Sequence, residues 1–211
     1  MGANIFARVL RHEIEKDSNL KILAFSSYRE FRTEDILDGL PVVDFEEINN
    51  LYDYKSIGII IAIGYSQMNT IREKVFHDCQ KYNLNVVTYI SPKANVYSPH
   101  IGKGAIIRAA HIGVNVRVGK GCIINNNTLL THDINLGDFC FVGAGSVFGG
   151  CVEVGNNCFI GLNSTIRDHV HLGDKTLVGA GAVVIKNACP ESVLVGNPAR
   201  TLPKSSNDTT I

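Results

Sequence analysis

The chain has 211 residues, enough for one large domain or two small ones, each with a buried core. Apolar residues make up 45% and charged residues 19%, with 20 Lys+Arg against 20 Asp+Glu. This balance excludes a disordered chain and gives no basic surface for nucleic acid. The longest apolar run, 57–63, is far short of the roughly 20 residues of a membrane helix, and the first residues lack the order of a secretory signal. A soluble cytoplasmic protein with no membrane insertion is expected.

In chain order, residues 4–16 place Ile5, Phe6, Val9, Leu10 and Ile14 in a helical stripe, and 20–25 has the pattern of a strand. A buried strand over 57–63 precedes a helix over 66–82, with Met68, Ile71, Val75, Cys79 and Tyr82 on one face, and another strand follows over 84–90. This alternation predicts a small α/β domain of parallel type over 1–90. Gly64, Tyr65 and Ser66 then stand at the carboxyl end of a strand, where such sheets bind ligands. Met1 and Gly2 lead almost directly into the first helix, so the strand that usually precedes such a loop is expected to be absent.

From Val118 the pattern changes to a repeat of six. Val118, Ile124, Leu130, Leu136, Val142, Phe148, Val154, Ile160, Ile166, Leu172, Val178 and Val184 open twelve consecutive hexads. The fifth place is small or β-branched in nearly all of them, as at Cys122, Thr128, Cys140, Ser146, Cys158 and Ser164. One large and one small inward residue per hexad describe a short strand and a bend around a narrow core, and three hexads close one triangular coil. Cys122, Cys140 and Cys158 recur at intervals of three hexads and therefore stack inside the prism as inert apolar groups. Ile101 lies one place short of three hexads before Val118, which predicts an earlier coil with one residue deleted near Ala110. The hexad domain spans 91–202, and the polar segment 203–211 is expected to be disordered. Six cysteines are too few for a disulfide scaffold, and none has metal-site spacing.

Of seven histidines, His132 in Leu130-Thr131-His132-Asp133 occupies neither inward place, which puts it at a surface bend beside a carboxylate. Imidazole is the natural proton acceptor near neutral pH. His12 and His77 fall on helices, and His100, His111, His169 and His171 on or near coil bends.

An α/β segment, then hexads, then the ending Val195-Gly196-Asn197-Pro198-Ala199-Arg200 resembles the sugar acyltransferases of the sialic acid O-acetyltransferase and nucleotide-amino-sugar N-acetyltransferase family. Asp133 to Gly145 and Asp38-Gly39-Leu40-Pro41-Val42-Val43 carry the same resemblance. It implies a Rossmann-like N-terminal domain and a left-handed parallel β-helix, assembled as a homotrimer. It also implies acetyl transfer from acetyl-CoA to an amine or hydroxyl of a nucleotide-linked sugar, with coenzyme A held between two prisms. Carried over by position, His132 is the proton acceptor tuned by Asp133, and the N–H of Gly150 faces the oxyanion. Gly143, Ala144, Gly161, Leu162 and Ala180 line the coenzyme A groove, with Lys186 as a charge for phosphate. Gly2, Ala3, Asn4, Gly64, Tyr65 and Ser66 hold the acceptor, and no metal is involved.

The chain departs from the family at Phe6, which removes a histidine contact to the acceptor, and at Ser26 and Ser27, where an acidic residue often holds a nucleotide. Phe141 stands where a second histidine would meet the thioester carbonyl. A cysteine acyl-enzyme is disfavoured, because Cys151 has no base nearby in sequence. Two other readings stay open: a zinc enzyme of the carbonic anhydrase type with three histidines between prisms, and a solenoid scaffold whose groove has decayed.

Overall fold

A computed structural model of the chain describes residues 1–53 and 55–209; Thr210 and Ile211 of the expected tail lie outside the described residues. The first helix, Ile5–Asp17, is capped by Asn4, whose side chain accepts a hydrogen bond from the Ala7 N–H at 2.9 Å. It buries Ala7, Leu10 and Ile14, while Ile5 and Val9 of the predicted stripe face solvent. The strand expected over 20–25 is confined to Phe25–Ser27, which pairs in parallel with Leu40–Asp44. Leu40–Asp44 also pairs antiparallel with Ile36–Leu37. Asp38 and Gly39 turn between these two strands with φ of 47° and 76°, as a two-residue hairpin turn requires.

Residues 20–24 and 57–60 both line a cavity of about 450 Å³, with apolar groups that include Ile14, Ile22, Ile57 and Ile59. Met1 and Gly2 close one end of it: the Ala62 N–H donates to Met1 O at 2.7 Å and the Gly2 N–H to Ser26 O at 2.8 Å. No strand lies between the two segments among the described residues. Each lacks a neighbour on that side, so the predicted strand over 57–63 is reduced to a single bridge from Ile59 to Val86. The second helix starts at Thr70, later than predicted, because Gln67, Met68 and Asn69 take positive φ. It runs to Lys81 and buries Val75, Phe76 and Cys79, while Tyr82 stays exposed.

The hexads form a prism of three parallel sheets. The domain face carries strands from Tyr89–Ile90 through Phe141–Val142 to Val193–Val195, with Arg200–Thr201 added antiparallel at its end. The outer face runs from Asn95–Val96 through Leu129–Leu130 to Val183–Val184, and the charged face from Arg117–Val118 to His171–Leu172. Partners such as Leu130 and Phe148 stand three hexads, one full coil, apart. All twelve large hexad residues are buried, none exposed above 4%. The shortened coil is present where expected: Ile107 pairs with Ile124, one place short of a full coil, and Ile112 pairs with Leu130, a full coil on. The deletion therefore lies between Ile107 and Ile112.

The outward residue of each strand differs by face. On the domain face Ile106, Ile123, Leu177 and Val193 are buried, with Ala7, Leu10 and Phe25 packed against Ile106 and Ile123. Arg72 pins the two parts together from a fully buried position. Its guanidinium donates to the carbonyls of Gly121 (2.8 Å) and Phe139 (2.7 Å) on the prism, and to those of Ile63 (3.3 Å) and Gly64 on the domain. Burial without a carboxylate lowers its pKa to about 10, so it remains a cation at neutral pH. The expectation of a disordered tail fails for 203–209. Ser206 is buried, its hydroxyl donating to Lys175 O at 2.6 Å and its N–H to Glu191 O at 2.9 Å, which satisfies the tail's polar groups on the last coil. Among the described residues no helix is long and apolar enough to cross a membrane.

Candidate active site

Stacking of successive coils builds a column of bends where the outer face turns into the charged face. Val114 and Asn115, His132 and Asp133, Gly150 and Cys151, Asp168 and His169, and Lys186 follow one another along it. The Asp133 N–H donates to Val114 O, that of Cys151 to His132 O and that of His169 to Gly150 O, all within 3.1 Å, which fixes the column's rise.

His132 Nδ1 lies 2.9 Å from Asp133 Oδ2. A carboxylate only accepts, so this contact assigns the proton to Nδ1 and leaves the lone pair on Nε2. The hydrogen bonds from His132 and Asn115 hold the Asp133 carboxyl below the usual carboxylate range. Both side chains are more than half exposed, at 58% and 51%. The ring lies against Gly150: a Cβ there would run into His132 Cε1 and Nε2. The Gly150 N–H has no acceptor among the described residues, because its neighbours Gly149 and Cys151 donate to Ile166 and His132 and it does not. The His132 imidazole, with Nε2 free, therefore stands beside a backbone donor that no described residue engages.

Gly143, Ala144, Gly161, Leu162 and Ala180 gather at a different bend, where the domain face turns into the outer face. The N–H groups of Gly143 and Gly161 are spent on Ile160 O and Val178 O at 2.7 Å. Those of Ala144, Leu162 and Ala180 have no acceptor among the described residues, which leaves three donors in a row at one edge. This edge and the His132 column flank the outer face and do not meet within one chain. Lys186 is exposed and stands in the His132 column, three coils away from His132.

The N-terminal residues expected to hold the acceptor do come together. Asn4 Nδ2 donates to Ala62 O at 3.1 Å, and a Cβ on Gly2 would meet that same oxygen at 2.6 Å, so the start of the first helix lies against the segment that ends in Gly64. Ala3 lies between them and is half-buried. The Tyr65 ring packs edge-on against Phe141 and Phe159 at 4.9 Å, and Phe141 and Phe159 stack on each other at 5.5 Å. Phe141 thus belongs to the contact between domain and prism. Ser66 is exposed at the same loop. The buried Ser26 hydroxyl has no partner among the described residues.

Cys151 is the neighbour that inspection of the sequence missed. Its Sγ, a His132 nitrogen and an Asp133 oxygen all lie within 4.8 Å of one another. The signal was present in the repeat, since Cys151 follows Asp133 by three hexads. Among the described residues this is the group of three possible metal donors, and three histidines do not converge within the chain.

Comparison with known proteins gives two family models, "Bacterial transferase hexapeptide (six repeats)" over residues 133–168 and "Hexapeptide repeat of succinyl-transferase" over 151–186. Among solved structures, PerB from Caulobacter crescentus in complex with CoA and GDP-perosamine is 29% identical, with a TM-score of 0.73 over 81% of this chain and 82% of that one. The acetyltransferase domain of PglB from Neisseria gonorrhoeae in complex with acetyl coenzyme A is 26% identical, with a TM-score of 0.74 over 82% and 83%. WeeI from Acinetobacter baumannii shares the fold at 23% identity, with a TM-score of 0.80 over 95% and 97%. The repeat and its parallel sheets fit a left-handed β-helix, and the chain resembles the hexapeptide-repeat sugar acetyltransferases.

Proposed function

We propose that the chain transfers acetyl from acetyl-CoA to an amine or hydroxyl of a nucleotide-linked sugar, with His132 as general base. The observation that carries this reading is the free Nε2 of His132, oriented by Asp133 and set beside the unsatisfied Gly150 N–H. His132 removes the proton as the acceptor attacks the thioester carbon, and the Gly150 N–H stabilises the oxygen that becomes negative. The new C–N or C–O bond forms as the C–S bond breaks, and His132 returns the proton to the departing thiolate. The protein supplies alignment, a base and an oxyanion donor, and it is not itself acylated.

Coenzyme A fits the edge where the N–H groups of Ala144, Leu162 and Ala180 stand unpaired beside Gly143 and Gly161, with the cationic Lys186 for a phosphate. Because that edge and the base lie on opposite borders of the outer face, a complete groove takes one border from each of two prisms. The outward stripe of Leu129, Val147, Thr165 and Val183 suits such a contact, and we read the assembly as a homotrimer. We take the N-terminal part as a Rossmann-like acceptor domain over 1–90, followed by the prism over 91–202. Gly2 to Asn4 and Gly64 to Ser66 face the acceptor. The Asn4 side chain already caps the first helix, so the acceptor's phosphate meets the remaining N–H groups there. Six free cysteines agree with a reducing cytoplasm.

The deciding measurement is CoA release with acetyl-CoA and a panel of nucleotide-linked amino sugars. Turnover with at least one is expected, with free sugars far weaker. His132→Ala should lower turnover roughly 10²- to 10⁴-fold with CoA binding retained. Unchanged turnover in that variant would remove His132 from the role of base.

A further inference from the structure

The base shares its bend with a thiol that acetyl transfer does not use. Cys151 sits one coil above Asp133, and its backbone is in the left-handed region at φ 58°. The same place in other bends is taken by Asn115, Asn127, Asn157 and Asn163, by Gly121, Gly145 and Gly181, and also by Asp133, Phe139, His169, Lys175 and Glu191. The conformation therefore belongs to the turn, and the neighbours of its side chain are what set Cys151 apart. Its Sγ joins a His132 nitrogen and an Asp133 oxygen within a 4.8 Å span. Nitrogen, thiolate and carboxylate with a fourth position open to water form the donor set of a soft, tetrahedral divalent cation.

We propose that His132, Asp133 and Cys151 form an inhibitory site for a thiophilic divalent cation of the zinc class, which silences transfer by occupying the imidazole of the base. The site rests on the reading of His132 as proton acceptor only for its consequence, since the donor set stands without it. Bond lengths of about 2.0–2.3 Å put ligand atoms about 3.5 Å apart around zinc, so side-chain rotations of about 1 Å close the site. The backbone need not move, because the N–H groups of Asp133 and Cys151 are anchored on Val114 O and His132 O. Asn115 Nδ2 donates to Asp133 Oδ1 at 3.1 Å and holds the carboxylate from outside, as partners of metal ligands do. Both His132 and Asp133 are open to solvent, which leaves an entry path.

The test uses metal-free full-length protein titrated with cobalt(II), whose thiolate charge-transfer absorption reports sulfur ligation without any assay of turnover. Wild type should show the band, and Cys151→Asn and Cys151→Gly, both suited to the backbone at that place, should lose it. Zinc affinity, measured by competition with a chromophoric chelator, should fall in these variants by roughly 10- to 100-fold, a loss that even outer-shell partners cause. Zinc should suppress turnover of wild type and spare both variants, whose metal-free activity stays at the wild-type level. Absence of the band in wild type overturns the site and leaves the base to be judged by His132→Ala. A band accompanied by undiminished turnover in zinc overturns the inhibition, and with it His132 as proton acceptor.

Discussion

The proposed reactive corner depends on a missing side chain as much as on those present. The His132 ring occupies the space where a Cβ of residue 150 would stand. Gly150→Ala would push the ring away from its position beside Asp133. The obstacle is the end of a flexible side chain, so the coil survives and the chemistry suffers. Turnover should drop roughly 10²-fold, the cost of misplacing a reacting group by about 1 Å. The thermal midpoint should move by less than about 4 °C, the equivalent of about 1 kcal/mol for a chain of this size. Equal loss of stability and activity, followed by calorimetry and CoA release, would show that residue 150 serves the bend alone. His132 and Asp133 were legible because hexad phase excludes them from the core. Cys151 was overlooked because its partner is near only after one full coil has been wound.

Within the elements, the cysteine ladder shows how phase becomes burial. Cys122, Cys140 and Cys158 are fully buried, and each thiol donates to a carbonyl one coil along, Gly137, Gly155 and Gly173, at 3.0 to 3.3 Å. Burial holds the Cys140 thiol well above its ordinary pKa, so the thiolate that reacts is not formed. In native protein a thiol reagent should modify exposed Cys189 at once and leave these three until unfolding; mass spectrometry of the labelled peptides reads the order. Arg72 makes the opposite demand on the second helix, holding a charge where the pattern of the sequence predicts only an apolar face. Arg72→Met would leave the buried carbonyls of Gly121, Phe139 and Gly64 without a donor, at about 1–3 kcal/mol each. A urea unfolding curve should show a loss of at least about 3 kcal/mol, the lower end of that sum, and an unchanged midpoint would refute the pin.

At the scale of the molecule, the proposed mechanism gives one prism two half-sites, on the two borders of its outer face. Light scattering should therefore give three copies of the 23.0 kDa chain. Val147, 38% exposed at the middle of that face, is the place to break the assembly. Val147→Glu should yield a folded monomer with unchanged circular dichroism and no measurable transfer, since a desolvated carboxylate is costly at an apolar contact. A fully active monomer would place the whole site within one chain.

The prism was legible from residue order alone, down to the coil with one residue deleted, because a hexad repeat couples each side chain's direction to its position in the count. Local pattern likewise announced the two long helices, whose apolar spacing is intrinsic to the chain, though not the short one at Ile48–Leu51. The strands at 20–25 and 57–63 were not settled that way. Strand pairing depends on a neighbour distant in sequence, and among the described residues the slot between these two segments holds Met1 and Gly2 at one end and no strand. The tail also escaped, since the polarity of Ser206 suggests solvent until the carbonyls of Lys175 and Glu191 are brought to it. The meeting of His132 with Gly150 and Cys151 belongs to the same class: sequence phase placed each at a bend, and only the stacking of coils put these bends within reach of one another.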